Sequence, residues 1–436
     1  MSRALLLVIV ALVGCRDYAH FDRLPDAGPR DLSVALSDGS PAADAALPPS
    51  VCPAPTDLGA LDGPSVTIAV DSVAVKTFAT TGVVPVDIRY LRLGGPTAAT
   101  DALALAPSSA GGRLIRIPDV LGQRGAPETY VIDQPGDLFA AGVPLMEGTP
   151  PHVVVADAPS GTATDYFWNG SGFGVSATVA PKASSDHLTA ILVATLFDVE
   201  GPQLLVGKSP TPPSTATTLD VHPRGAGFIV SIDETVHYSL DPLTAVTQLA
   251  VLLDRTTRFR AVVALQAYDG SSTVVAHASI LRGIAGGFAP AEDLGLVPPR
   301  TRSIAVADID LDGADDLVFA GDDGLAYMTA KAPSVTTWLE TGNGAAYAPR
   351  GIDWNEDGAA DLFAYVASAS ASGFLPTLFQ NRGGATPKLA PVALADANAA
   401  LQTSSPERLR SPDAPECGAQ LLFVDGISSS ISIFHP

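Results

Sequence analysis

The chain has 436 residues, of which 47% are hydrophobic and 16% charged, and 46 acidic against 25 basic residues give a net charge of −21. That balance argues for a well-buried body and against global disorder. The acid excess argues against nucleic-acid binding and against a polybasic membrane contact, both of which need clustered Lys and Arg.

At the N-terminus one Arg precedes an apolar run from Ala4 to Leu12 and then Val13-Gly14-Cys15. Spanning a bilayer takes roughly 20 apolar residues, so the run is too short to cross. It resembles a bacterial lipoprotein signal peptide with Leu12-Val13-Gly14-Cys15 as the lipobox. The resemblance implies removal of residues 1–14, lipidation of Cys15 and a membrane-anchored protein in the bacterial cell envelope. Arg16 and Asp17 follow, so no Asp stands directly after the lipid cysteine; by similarity to enteric sorting rules this points to the outer membrane. Residues 15–50, rich in Asp, Ala, Pro and Ser, lack the apolar surface to offset chain entropy and read as a tether.

From residue 51 to 436 the chain changes to short runs of Val, Ile, Leu, Thr and Gly punctuated by Pro and Gly. No second linker interrupts this stretch, which fits one repeat array. The motif "apolar run, Asp, short polar loop, apolar run" occurs at Asp119, Asp157, Asp198, Asp233, Asp269, Asp308 and Asp353, at spacings of 35 to 45 residues. Seven such units predict seven blades of four antiparallel strands, an all-β propeller, with six and eight blades as the alternatives.

Two units carry chemistry. Asp308, Asp310, Asp312 and Asp316 occupy positions 1, 3, 5 and 9 of a nine-residue loop with Gly313 at position 6; Asp353, Asn355, Asp357 and Asp361 repeat this around Gly358. Alternating oxygen donors with a glycine at the reversal suit a hard cation such as Ca²⁺. An EF-hand would need Glu at position 12, where Phe319 and Ala364 stand. Paired catalytic carboxylates are the competing reading, disfavoured by the regular spacing. The other five loops have lost most donors and read as structural; Asp157 with Asp165 is the one candidate for a third site, and the Asp198 loop reads as too short to wrap a metal.

These two loops resemble the FG-GAP, or VCBS, repeat family, whose D-x-D-x-D-G-x-x-D loops sit in propeller blades like those of the integrin α-subunit. The resemblance is strong over residues 302–384 and implies two calcium sites, with the carbonyls of Ala314 and Ala359 completing the shells. Around them the expected strands are 303–307, 317–320, 325–330 and 335–340, then 351–352, 362–367, 376–380 and 388–394. Trp168 to Phe173 resembles the family's Asn- and Gly-rich turn. Trp354, inside the second loop, is either an exposed platform or a packing residue between blades.

Leftover strand-like runs at 66–70 and 84–93 and at 420–424 and 430–434 suit a last blade built from both termini, which removes the open edge. With Cys15 assigned to lipid, Cys52 and Cys417 border the β region; in an exported protein the pair reads as a disulfide, the alternative being two free cysteines.

The seven His residues lack metal spacing, and no Gly-x-Ser-x-Gly, phosphate loop or dinucleotide fingerprint is present. The expectation is a non-enzymatic, calcium-binding envelope protein that adheres to or scaffolds a protein or glycan partner. The alternative is an envelope polysaccharide lyase or hydrolase on the same fold.

Overall fold

The computed structural model describes residues 69–435 except 75–86, 96–97, 107–110, 121–124, 134, 137, 143–150, 180–185, 195, 197–202, 211–216, 223–235, 241–244, 254–259, 267–274, 285–286, 296, 331, 334–335, 340–343, 355–358, 368–372, 382–388, 393–408, 411–420 and 426–429. The expected signal peptide and tether, Cys15, Cys52 and Cys417 lie outside the described residues. No described helix is long and apolar enough to cross a membrane.

All described secondary structure is β, in seven four-stranded antiparallel sheets and one small hairpin. The first blade is Asp87–Leu91, Asp101–Ala106, Gly112–Ile117 and Glu128–Ile132; the second is Leu138–Gly142, His152–Asp157, Thr162–Trp168 and Phe173–Val179. The third is Asp186–Ala194, Gln203–Pro210, Thr218–His222 and Val236–Ser239; the fourth is Val246–Leu253, Arg260–Gln266, His277–Leu281 and Glu292–Asp293. The fifth is Thr301–Ala307, Asp316–Gly321, Gly324–Met328 and Thr337–Trp338; the sixth is Ala346–Ile352, Asp361–Ala367, Phe374–Asn381 and Leu389–Val392.

The seventh blade joins the two chain ends. Leu409–Arg410, Leu421–Asp425 and Ser430–His435 supply three strands, and Ala69–Ala74 adds the fourth by pairing antiparallel with the last, Ala69 opposite His435 and Ala74 opposite Ser430. The expected closure by both termini is therefore present, except that the run at 84–93 takes no part in it and supplies the first strand of the first blade; the closure converts what would be an open edge into a paired one.

The expected blade number stands, but its bookkeeping does not. In sequence, Asp198 and Asp233 both fall between the first and last strands of the third blade, and none of the seven motifs falls in the seventh. Nor do the upstream loops share one place in their blades: Asp119 follows the third strand, and Asp157 ends the second, whereas Asp308 and Asp353 follow the first. Every hairpin of a blade ends in a polar turn, so an Asp after an apolar run marks any of three corners.

Second strands are buried along their length, as in Asp101–Ala106 and Asp316–Gly321, because each is covered on both faces by neighbouring blades. That explains their continuous apolar sequence where a half-exposed strand would alternate. Among the described residues, five apolar clusters each straddle one interface between successive blades, from the first and second through the fifth and sixth. Close approach demands small residues there: a Cβ on Gly351 would lie 2.5 Å from the Cβ of Ala307 and 3.0 Å from the Val306 carbonyl, both in the preceding blade.

The innermost strands of the third to sixth blades all carry a bulge, at Leu188/Ala190, Val246/Gln248, Thr301/Ser303 and Tyr347/Arg350. Polar side chains then stitch blade to blade. Gln248 mimics a strand, its Nε2 donating to the Ile304 carbonyl at 2.8 Å and its Oε1 accepting from the Ile304 N–H at 3.0 Å. Asp322, in the hairpin turn of the fifth blade, accepts from Arg302 Nε and Nη2 at 2.8 and 2.9 Å and from the Tyr347 hydroxyl of the sixth. Burial works to raise the Asp322 carboxyl; the hydrogen bonds from Arg302 and Tyr347 and the charges of Arg302 and Arg300 outweigh it, so its pKa is lowered.

Candidate metal centre

The loop 308–315 leaves the innermost strand of the fifth blade and enters the buried second strand at Asp316. Alternation sends positions 1, 3 and 9 inward: carboxylate oxygens of Asp308, Asp310 and Asp316 lie within 4.8 Å of one another. Gly313, at the expected reversal, has φ 79°. Leu311 also takes a positive φ, 57°, and is 46% exposed, a strained place for a branched side chain that the residue pattern does not announce.

Backbone amides hold this arrangement. Asp316 Oδ2 accepts from the N–H groups of Ile309 and Asp310 at 2.9 and 3.3 Å, and its Oδ1 from Ala330 at 2.7 Å. Asp308 accepts from Asp312 and Gly313 at 3.1 and 3.0 Å. Asp312 accepts from the Ala314 N–H at 2.9 Å and is not among the three clustered carboxylates. Asp315, at position 8, ties the loop to the fourth blade by accepting from the Leu253 N–H at 2.6 Å.

Five carboxylates in so small a volume disturb one another. Burial, aided by the charge of Asp310, pushes Asp316 up to about 6 against the opposing pull of its amide donors. Asp315 is raised as well, by burial first and by the charge of Asp308. A folded-state pKa above the ordinary carboxylate value means that ionising Asp316 costs stability as pH rises toward neutrality. A divalent cation among these oxygens would remove that cost, so the donor set suits calcium in hardness and charge.

The sixth blade repeats the frame. Asp361, fully buried, accepts from the Trp354 N–H at 3.0 Å and the Asn381 N–H at 2.7 Å, in the places of Ile309 and Ala330. Asp353 and the buried Ala359 are in place at positions 1 and 7; Asn355 and Asp357 lie outside the described residues. Trp354 is 1% exposed, which excludes the exposed platform, and its indole N–H has no hydrogen-bond partner among the described residues.

The third blade keeps the same frame without the acids. Gln203 opens its second strand and accepts the Leu196 N–H at 2.8 Å across seven residues, the separation that joins Asp316 to Ile309 and Asp361 to Trp354. The residues at position 2, Leu196, Ile309 and Trp354, are all buried. Eight residues separate the first two strands in each of these blades, so the reading of the Asp198 loop as too short is corrected: its length matches, and positions 1, 3 and 5 hold Thr195, Phe197 and Val199. In the first blade the corresponding residue is Asp101, at the start of the second strand. It accepts the Asp119 N–H at 3.0 Å and the Arg116 Nε at 2.8 Å. Asp119 thus contributes its backbone, and the working carboxylate is that of Asp101, which lies outside the acidic motif.

Asp157 and Asp165 do not form a third site. Asp157 ends one strand in a turn, whereas Asp165 is fully buried in the next, with both oxygens 2.9 Å from His152 Nδ1. The expected turn at Trp168 to Phe173 is present: Asn169 Oδ1 accepts from the N–H groups of Ser171 and Gly172, both at 3.0 Å. Trp168 packs against Tyr130 and Phe173 with the Arg116 guanidinium 4.9 Å from its ring centre. Trp338, in the outermost strand of the fifth blade, is 49% exposed.

No protein-family model matches the chain, and no curated protein does. Among solved structures, a catalytically inactive virginiamycin B lyase from Staphylococcus aureus, solved with quinupristin, is similar at 10% identity and TM-score 0.51, covering 85% of this chain and 99% of that one. The Dos1 propeller is similar at 8% identity and TM-score 0.49, covering 80% and 77%. At such identities the lyase likeness speaks for the β-propeller fold alone.

Proposed function

We propose that this propeller is a calcium-stabilised, non-enzymatic binding or scaffold module of the bacterial cell envelope, built on FG-GAP/VCBS-type repeats and anchored by lipid on Cys15, with a protein or glycan as its partner. The observation that carries the reading is the convergence of Asp308, Asp310 and Asp316 within 4.8 Å at a loop between two innermost strands of a blade. Those three, with Asp312 and the carbonyl of Ala314, would hold one ion; Asp353, Asn355, Asp357, Asp361 and the carbonyl of Ala359 would hold a second. Bound there, calcium supplies charge neutralisation and cross-linking of a loop to its strands, which is a structural service.

The chain's own residues do the rest. Asp316 and Asp361 fasten position 2 of each loop and the end of the blade's third strand or the turn after it to the start of the buried second strand through backbone amides. A frame with loops fixed at one end of each blade suits presentation of a surface to a partner. Affinity in the weak extracellular range, about 10⁻⁴ to 10⁻³ M, is expected for loops of this kind.

Equilibrium dialysis of the full chain against calcium tests the metal reading: two ions per chain are expected, and none bound would overturn it. The anchor is tested separately by Cys15→Ser, which should move the protein from the membrane to the soluble fraction of the producing cell.

A further inference from the structure

The interface between the fourth and fifth blades changes character from its inner to its outer end. Alternation along the strands builds two facing rows, with one residue from each strand. In the fourth blade Ala250 stands opposite Val263, Val263 opposite Ile280, and Ile280 opposite Glu292. In the fifth, Ile304 stands opposite Phe319, Phe319 opposite Ala326, and Ala326 opposite Trp338. Val263 and Phe319 are each the third residue after the one that opens the second strand, Arg260 and Asp316, so the rows match in height. Ala250, Val263, Ile280, Ile304 and Phe319 pack in one apolar cluster, and Ala326 is fully buried as well. The rows end, at the outermost strands, in Trp338 and Glu292, and there burial stops. Trp338 is 49% exposed and the Glu292 side chain 56%. On the wall opposite the indole, Glu292 Oε2 accepts from Arg282 Nε at 3.3 Å.

We propose that the groove between the outermost strands of the fourth and fifth blades binds a neutral glycan, with Trp338 as the platform and Glu292 and Arg282 as the polar partners; this rests on the binding-module reading given above. An indole offers its flat apolar face to the C–H face of a sugar ring, while the carboxylate and guanidinium opposite can accept from and donate to its hydroxyls. One aromatic surface with a few placed polar groups is the makeup of a small-ligand site. A protein partner would call for more. Its anchors sit among further apolar groups that exclude water, and neither row holds a second exposed apolar side chain. Charge decides which glycan fits. Glu292 and Arg282 cancel one another, and a chain of net charge −21 repels a polyanion.

The three tryptophans make the test direct, because Trp168 and Trp354 are 6% and 1% exposed and Trp338 alone is open to a quencher. Acrylamide quenching of the full chain is measured with cellohexaose, maltohexaose and N-acetylchitohexaose, each at about 1 mM. At least one of them should protect the fluorescence. In calorimetric titration with that sugar, Trp338→Ala should abolish binding, Trp338→Tyr should retain it, and Glu292→Gln should weaken it by about ten-fold. Should Trp338→Ala fail to fold, protection in the wild type and its weakening in Glu292→Gln still carry the test. Protection by none of the three sugars overturns the proposal, as does binding that survives Trp338→Ala. Protection accompanied by the release of new reducing ends leaves the groove in place and overturns the non-enzymatic reading. A protein retained by the wild type and lost with Trp338→Ala, where no sugar protects, would give the groove to a protein partner instead.

Discussion

The loops of the third and fifth blades share one hydrogen-bond frame and differ in what they can bind. In both, the residue that opens the second strand accepts an amide from a buried residue seven positions earlier, Leu196 to Gln203 in one and Ile309 to Asp316 in the other. Among the described residues, the fifth blade surrounds that frame with further carboxylates, at Asp308 and Asp310, where the sequence of the third has Thr195 and Phe197. The comparison separates two jobs that the acidic motif runs together. Position 9 closes the blade and needs an oxygen, charged or not; on the calcium reading proposed above, positions 1, 3 and 5 would serve a cation.

Substitutions that break the frame should cost most. Asp361→Ala leaves the buried N–H groups of Trp354 and Asn381 without their acceptor, a loss of about 4 kcal/mol in urea unfolding that added calcium does not restore. Gln203→Met orphans one N–H, that of Leu196, and should cost about 2 kcal/mol, identical in calcium and in EDTA. A calcium-dependent effect at Gln203 would contradict the separation.

A charged tie away from the loops gives a smaller effect with a pH signature. Asp322→Asn weakens the link to Arg302 and Tyr347, costing about 1 kcal/mol at neutral pH because the pair is partly solvated. The lowered pKa of Asp322 places its contribution above the ordinary carboxylate range and removes it as pH falls through the folded-state value. Denaturation midpoints of wild type and variant should therefore converge in acid; a gap that persists there would mean that the loss is one of packing.

How much of this was legible follows the same division. The strands of the fifth and sixth blades fall within a few residues of expectation, such as Thr301–Ala307 for 303–307 and Asp361–Ala367 for 362–367, because loop, glycine and apolar run all mark one corner. The closing strands were visible as runs left without a loop. Position 9 of the other blades was not, because accepting an amide requires no charge, and Gln203 carries no acidic signature. Asp101 was hidden differently: its nine-residue connection from Leu91 holds no carboxylate, whereas the motif stands at Asp119, whose backbone is the bonded group. The bond that the Asn381 side chain donates to the Ile309 carbonyl was not legible, since its partner stands 72 positions away.

The smallest effect in the absence of metal belongs to Asp310→Asn, and it tests the central claim most directly. Position 3 lies outside the frame, and its charge helps to raise Asp316, so the variant should melt no lower than wild type in EDTA. In about 10 mM calcium, wild type should gain roughly 2 kcal/mol for each loaded loop and melt a few degrees higher, while the variant forfeits the share of the first loop. Equal melting of wild type in calcium and EDTA, or a variant that collapses in EDTA as Asp361→Ala does, would contradict the account.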